Sequence, residues 1–104
     1  MIAMQAHRAA QSVSKQYVVF RLGDTCFGVD IHQVVRIVRL TPITRVPQAP
    51  RFLSGIISYR GQVVPVVDLH LRLALPGVEY DDTARILIVE LDSQPVGMLV
   101  DSVV

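Results

Sequence analysis

The sequence predicts an all-β fold with short helices, in which six or seven short strands form a barrel or sandwich. Three observations lead to this prediction. The 104 residues have room for one domain with a modest core. Hydrophobic residues make up 51% of the chain and occur mostly as Val, Ile and Leu in short runs. Glycine, proline and aspartate separate these runs, as expected for turns between antiparallel strands.

The chain opens with a predicted hairpin. Residues 16–22 and 26–29 have the β-branched and aromatic content of strands, and Gly23-Asp24 supplies the turn between them. Asp30 is a good helix N-cap, and apolar residues at helical spacing follow it. The same stretch is rich in β-branched residues and fits a strand equally well. We expect a short helix that gives way to a strand near Arg36.

A second hairpin is predicted where Gly61 separates residues 55–60 from residues 62–68. Glycine tolerates the unusual backbone angles of a tight turn, so the tip should lie at Arg60 and Gly61. Pro65 lies inside the second strand and cannot donate a ladder hydrogen bond. This strand is therefore expected at a sheet edge or with a bulge.

The rest of the chain predicts one more helical turn and two more strands. Residues 69–75 suggest a turn or two of helix, and residues 76–82 an exposed loop. Residues 86–91 and 95–100 read as strands joined by a polar turn at residues 92–94. Antiparallel pairing of all these strands would give the barrel or sandwich.

The net charge of +1 hides an uneven distribution. Residues 31–78 contain six arginines against one acid, whereas residues 79–104 contain six acids against one arginine. Either the two groups are solvated faces that offset each other, or the basic stretch meets an acidic partner or the acidic half of a second copy.

No segment predicts membrane insertion or export. Residues 1–14 lack the apolar core of a signal peptide, and the apolar runs fall far short of the ~20 residues that span a bilayer. We expect a cytoplasmic protein.

The sequence contains no convincing catalytic, cofactor or metal site. Phosphate-binding glycine loops and nucleophile elbows are absent, so we expect no enzyme activity and no cofactor. Asp68 and His70, with His32 as a third ligand, are only a weak metal-site candidate. The simpler interpretation is that Asp68 caps the following helix and His70 is exposed. Cys26 lies in an apolar stretch and is expected to be a small buried residue.

A set of short motifs, in order and spacing, resembles the CheW-like domain of bacterial chemotaxis adaptors. The resemblance runs from about residue 16 to residue 104, and the arginine-glycine turn before Val-Pro-Val-Val-Asp-Leu is its most specific part. The motifs are Leu22-Gly23-Asp24, Phe27-Gly28-Val29-Asp30-Ile31, Arg45-Val46-Pro47, Gly55-Ile56-Ile57, Arg60-Gly61, Val64-Pro65-Val66-Val67-Asp68-Leu69 and Val96-Gly97-Met98-Leu99-Val100-Asp101.

The resemblance implies two SH3-like β-barrel subdomains and a non-catalytic role that couples chemoreceptor cytoplasmic tips to a histidine kinase regulatory domain. It divides the chain into a flexible tail, residues 1–15, and a CheW-like domain, residues 16–104. The family's receptor-contacting arginine corresponds to Arg60. An arginine at a glycine-supported turn is exposed and can grip a carboxylate or carbonyl, although a solvated turn residue is the plain alternative. The predicted partner-binding residues are Tyr59, Arg60, Gly61, Ile31, Arg36 and Ile37.

The chain departs from the family pattern in two respects. Arg36 stands where many members have a glutamate that pairs with the turn arginine, so either Arg60 turns outward, or Asp68 replaces the acid, or the receptor is more acidic. Family domains also continue with strands that complete the second barrel. An incomplete barrel predicts a homodimer formed by strand exchange or β-augmentation.

Two other functions compete with the adaptor. One is a self-associating remnant without signalling activity. The other is a small barrel that binds single-stranded nucleic acid, which the many arginines favour and the few, apolar-patterned aromatics oppose. We expect no nucleic-acid partner.

Overall fold

The computed structural model describes residues 16–104, and the predicted flexible tail, residues 1–15, lies outside them. The described residues are mostly strand, which confirms the all-β prediction with short helices. The strands are β1 (Tyr17–Leu22), β2 (Thr25–Asp30), β3 (Val34–Arg39), β4 (Leu53–Tyr59), β5 (Gln62–Asp68), β6 (Arg85–Leu91), β7 (Gln94–Val100) and β8 (Ser102–Val103). A 3-10 helix covers Ile31–Gln33, and α1 covers Leu69–Arg72.

The strands form two sheets. A three-stranded sheet has the order β2-β1-β8, and a five-stranded sheet has the order β3-β6-β7-β5-β4. An isolated bridge between Thr44 and Ile56 joins the segment after β3 to β4, with backbone hydrogen bonds of 2.9 and 2.8 Å. The larger sheet therefore curls towards a barrel.

Strand β6 separates two hydrophobic cores. Ile86 and Ile88 point into the core inside the five-stranded sheet, whereas Leu87 and Val89 point into the core between the two sheets. All four side chains are fully buried, which explains the unbroken apolar run of this strand. Phe20 from β1 fills the core between the sheets.

The two hairpins predicted from glycine turns are confirmed. The expected antiparallel pairing is wrong for one pair of strands, because β5 and β7 run parallel. The edge position expected for β5 is also wrong, since this strand lies between β4 and β7. Proline is accommodated because β7 pairs only with Val66 to Asp68, so that Pro65 precedes the shared ladder. The irregular register near this end lies opposite, in β4, between Leu53 and Gly55.

The helical predictions hold with small boundary shifts. Asp30 caps the 3-10 helix by accepting from the His32 backbone N–H, and the strand that follows starts at Val34, two residues before Arg36. Asp68 caps α1, where its carboxylate accepts from the Leu71 N–H at 3.2 Å.

Two expected exposures are reversed. His70 is buried with 2% of its surface exposed, because its ring lies between α1, the loop after it and the end of β7. Cys26 is exposed on β2, which pairs only with β1 within the described residues. It is therefore not the buried residue that its apolar neighbours suggested.

Candidate partner-binding site at the β4–β5 turn

The backbone of the β4–β5 turn is held in an unusual conformation. Tyr59 and Gln62 are directly paired, which leaves Arg60 and Gly61 as a two-residue loop. Their φ angles are +50° and +77°. Positive φ at both central positions defines a type I′ turn, whose twist matches that of the flanking strands. A positive φ is strained for arginine but not for glycine. The preference of the backbone therefore does not explain why arginine occupies this position.

The Arg60 side chain is exposed and rests on its neighbour. Its guanidinium carbon lies 5.4 Å from the centroid of the Tyr59 ring, a cation–π arrangement. Tyr59 is half-buried and packs against the core inside the five-stranded sheet. Within residues 16–104, no carboxylate oxygen lies within 4 Å of the Arg60 guanidinium. Its hydrogen-bond donors therefore face solvent and are available to a partner.

Asp68 does not supply the missing acidic partner of Arg60. One oxygen of its carboxylate accepts from the Tyr80 hydroxyl at 2.9 Å and from the Leu71 N–H at 3.2 Å. Burial, followed by this hydrogen bond, raises the pKa of Tyr80 well above its usual value. The suggestion that Asp68 replaces the glutamate partner is therefore wrong.

The other predicted contact residues lie on or beside β3. Ile31, in the 3-10 helix, and Ile37 are each 40% exposed, and Arg36 is exposed as well. This strand is at one end of the strand order and β4 is at the other. The turn thus groups Tyr59, Arg60 and Gly61, whereas the three remaining residues lie on or beside β3, and the Thr44–Ile56 bridge joins the segment after β3 to β4.

Two exposed valines were not foreseen from the sequence. Val35 is 50% exposed at the register shift between β3 and β6, and Val63 is 65% exposed next to the β4–β5 turn. No sequence signal separates them from core valines, because β-branched residues occupy both faces of these strands. They extend the apolar surface beside both groups of predicted residues.

Residues 16–104 match the CheW-like domain family over their full length. The chain belongs to this family. It is 31% identical to the chemotaxis protein CheW of Klebsiella aerogenes, over 98% of this chain and 61% of the relative. It is 38% identical to CheW of Rhizobium meliloti, over 86% of this chain and 57% of the relative.

A solved structure supports the same assignment. The scaffolding protein TtCheW of Thermoanaerobacter tengcongensis superposes with a TM-score of 0.84 at 39% identity, covering 86% of this chain and 62% of that one. The expected CheW-like fold of SH3-like barrels is confirmed by this likeness. The chain spans about 60% of the length of the relatives that it matches.

The arginines of this CheW-like domain are not neutralised by neighbouring acids. Within the described part of the chain, the side-chain ion pairs are His32 with Asp30 at 3.1 Å and His70 with Asp101 at 2.8 Å, and neither includes an arginine. The basic and acidic stretches therefore do not offset each other through direct contacts.

The described residues give no support to a metal site or a membrane span. Residues 16–104 contain no group of three His, Cys, Asp or Glu side chains that could hold a metal ion. Asp68 and His70 make separate contacts, since the His70 ring faces the Pro76 carbonyl and Asp101. No helix in this part of the chain is long and apolar enough to cross a bilayer.

Proposed function

We propose that this chain is a non-catalytic, cytoplasmic adaptor that couples chemoreceptor tips to the regulatory domain of a CheA-type histidine kinase. Membership of the CheW-like family supports this role, as do relatives named chemotaxis protein CheW in several bacteria. Because the chain spans about 60% of those relatives, the activity of the whole adaptor is carried over as a proposal.

The conformation of Arg60 is the observation that carries the proposed receptor contact. Its backbone is in the left-handed conformation at the hairpin tip. Its guanidinium lies over the Tyr59 ring and forms no ion pair within residues 16–104. Strained residues of this kind persist where the surrounding structure fixes them, and they cluster at functional sites. A planar guanidinium with free donors suits a carboxylate or a row of carbonyl oxygens on a receptor helix.

Ile31, Arg36 and Ile37 would provide a second contact strip. Their exposure on and beside an edge strand supports this assignment, because two exposed isoleucines flanking an arginine resemble the composition of interface centres. Gly61 would act through the backbone, by permitting the turn that displays Arg60.

The receptor proposal is tested by binding to the cytoplasmic tip of a cognate receptor. Arg60→Glu should abolish capture of the tip because it reverses the charge at the contact. Arg21→Glu is the matched control, since Arg21 is also exposed but lies on β1 in the other sheet. Loss of capture in both variants, or in neither, would show that Arg60 is not the receptor contact.

A homodimer is a second proposal, supported by open strand edges. Within the described residues β2 and β3 each pair on one side only, which leaves backbone donors and acceptors for a strand from another copy. Strand exchange or β-augmentation would then pair these edges. Sedimentation velocity over a hundredfold concentration range should show a dimer, and a monomer throughout would refute it. A dimer that binds neither receptor nor kinase would instead identify a self-associating remnant.

A further inference from the structure

Two arginines face each other across neighbouring strands, remote in the strand order from the β4–β5 turn. Arg39, the last residue of β3, is directly paired with Arg85, the first residue of β6. Side chains opposite each other on antiparallel strands lie on the same face, and like charges in this position destabilise the pair. A bound negative charge would offset the repulsion between the two arginines.

The compensating charge does not come from a close carboxylate. Arg85 is fixed by the backbone instead, because one of its terminal nitrogens donates to the carbonyls of Asp82 at 2.9 Å and Ala84 at 2.7 Å. Its other terminal nitrogen and Nε remain as donors. Arg39 is exposed and has no hydrogen bond or ion pair within residues 16–104. One guanidinium is thus held in place while the other is free to close on a ligand.

The two arginines line an open cavity of about 550 Å³. Ser102 and Thr83 also line this cavity, and the Thr83 hydroxyl is already directed to Asp81 and to the Asp101 carbonyl. Asp82 is the one acid in the lining, against two arginines. The cavity therefore offers two guanidinium groups and one hydroxyl to a ligand, with a net positive charge.

We infer that this cavity binds a phosphate group, held between Arg39 and Arg85 and hydrogen-bonded by Ser102. A carboxylate has one negative charge and two oxygens, whereas phosphate has a charge near −2 and three oxygens, which matches two guanidinium groups and a hydroxyl more closely. The group is either free or esterified in a small molecule, and the chemistry recognised is the same. The inference does not depend on the adaptor role.

The test is a titration of ¹⁵N-labelled protein, followed by amide chemical shifts, with inorganic phosphate in one arm and O-phosphoserine in the other. Sodium chloride at equal ionic strength corrects for screening. Saturable shifts should centre on Arg39, Arg85 and Ser102, and saturation in either arm supports the site and identifies the form accepted. If the shifts saturate in neither arm, the inference is wrong.

Three variants decide whether the arginine pair is responsible. Arg39→Thr should weaken binding at least tenfold, because it removes one of the two guanidinium groups while keeping a residue suited to a strand. Arg51→Thr, exposed in the turn before β4 and outside the cavity lining, should bind as the parent does. Asp82→Asn should tighten binding because it removes the opposing charge. Equal affinity in the two threonine variants would show that phosphate acts through general electrostatics.

Discussion

Replacement of the buried His70 tests how much the hydrogen bonds of this side chain contribute to the stability of the fold. Its Nδ1 lies 2.9 Å from the Pro76 carbonyl oxygen, and its Nε2 lies 2.8 Å from Asp101 Oδ1. The other oxygen of Asp101 accepts from the Gly23 N–H at 2.7 Å, in the β1–β2 turn. His70 therefore links α1, through the end of β7, to the three-stranded sheet.

His70→Ala should lower the free energy of unfolding by about 3–4 kcal/mol. A hydrogen bond that involves a charged group contributes roughly 1.5–3 kcal/mol and a neutral one roughly 1 kcal/mol. The vacated volume adds a cavity cost that depends on how well the site collapses. This is a large share of the roughly 5–15 kcal/mol that stabilises a typical domain.

Two amide replacements separate the two hydrogen bonds. The side-chain nitrogen of His70→Asn can take the position of Nδ1 and keep the Pro76 contact, whereas that of His70→Gln can reach towards Asp101. Gln should therefore be the less damaging variant, because the bond to the carboxylate is the stronger one. Urea unfolding measures the loss of unfolding free energy in each variant, provided that the dependence of this free energy on urea concentration is unchanged.

A double-mutant cycle with Asp101→Asn measures the coupling directly. Residues in contact couple by roughly 0.5–3 kcal/mol, and the upper half of that range is expected for this buried pair. A His70→Ala variant within about 0.5 kcal/mol of the parent, the range of ordinary surface substitutions, would refute the reasoning. So would a coupling energy of zero.

Three further predictions concern single side chains. Arg60→Asn should raise stability by about 1 kcal/mol in urea unfolding while abolishing receptor capture, because asparagine tolerates left-handed backbone better than arginine does. Gly97→Ala should cost roughly 1–3 kcal/mol, since its Cβ would lie 2.8 Å from Ile86 Cγ2, whereas Gly77→Ala, with open space around it, should be neutral. Stability should fall as pH rises above about 10, because Tyr80 ionises in the unfolded chain but stays protonated when folded; Tyr80→Phe should remove this part of the slope.

The strands and turns were predictable because their signals are local. Gly23 before Asp24, and Gly61 after Arg60, stand between runs of β-branched residues, and both places are hairpin turns in the structure. Asp30 and Asp68 were recognised as helix caps for the same reason, since a cap bonds within two or three residues of itself. In each case a short window of sequence contained all the interacting groups.

The errors concern contacts between residues distant in sequence. His70 was expected to be exposed because its neighbours in the sequence do not indicate that it bonds Asp101, which lies 31 residues later. Parallel pairing of β5 with β7 arises because α1 and the following loop lead to β6, and the β6–β7 hairpin then places β7 beside β5. The residue pattern does not specify this path. Cys26 was misplaced because an apolar neighbourhood in sequence does not show which strand face a second sheet covers. For the candidate site, the turn was found but the exposure of Val35 and Val63 was not.

A comparison of the two tight hairpins of the five-stranded sheet supports the proposal that the arginine at the β4–β5 tip serves binding. The β6–β7 hairpin has Asp92 and Ser93 at its tip, both with positive φ, so it adopts the same turn class. Aspartate tolerates that conformation through its short polar side chain, and the turn needs no further explanation. The β4–β5 turn places a long cation at the corresponding strained position, where a smaller residue followed by glycine would be more stable. Within residues 16–104 the Arg60 guanidinium contacts the Tyr59 ring but forms no ion pair, which agrees with the proposal that its donors serve a binding partner.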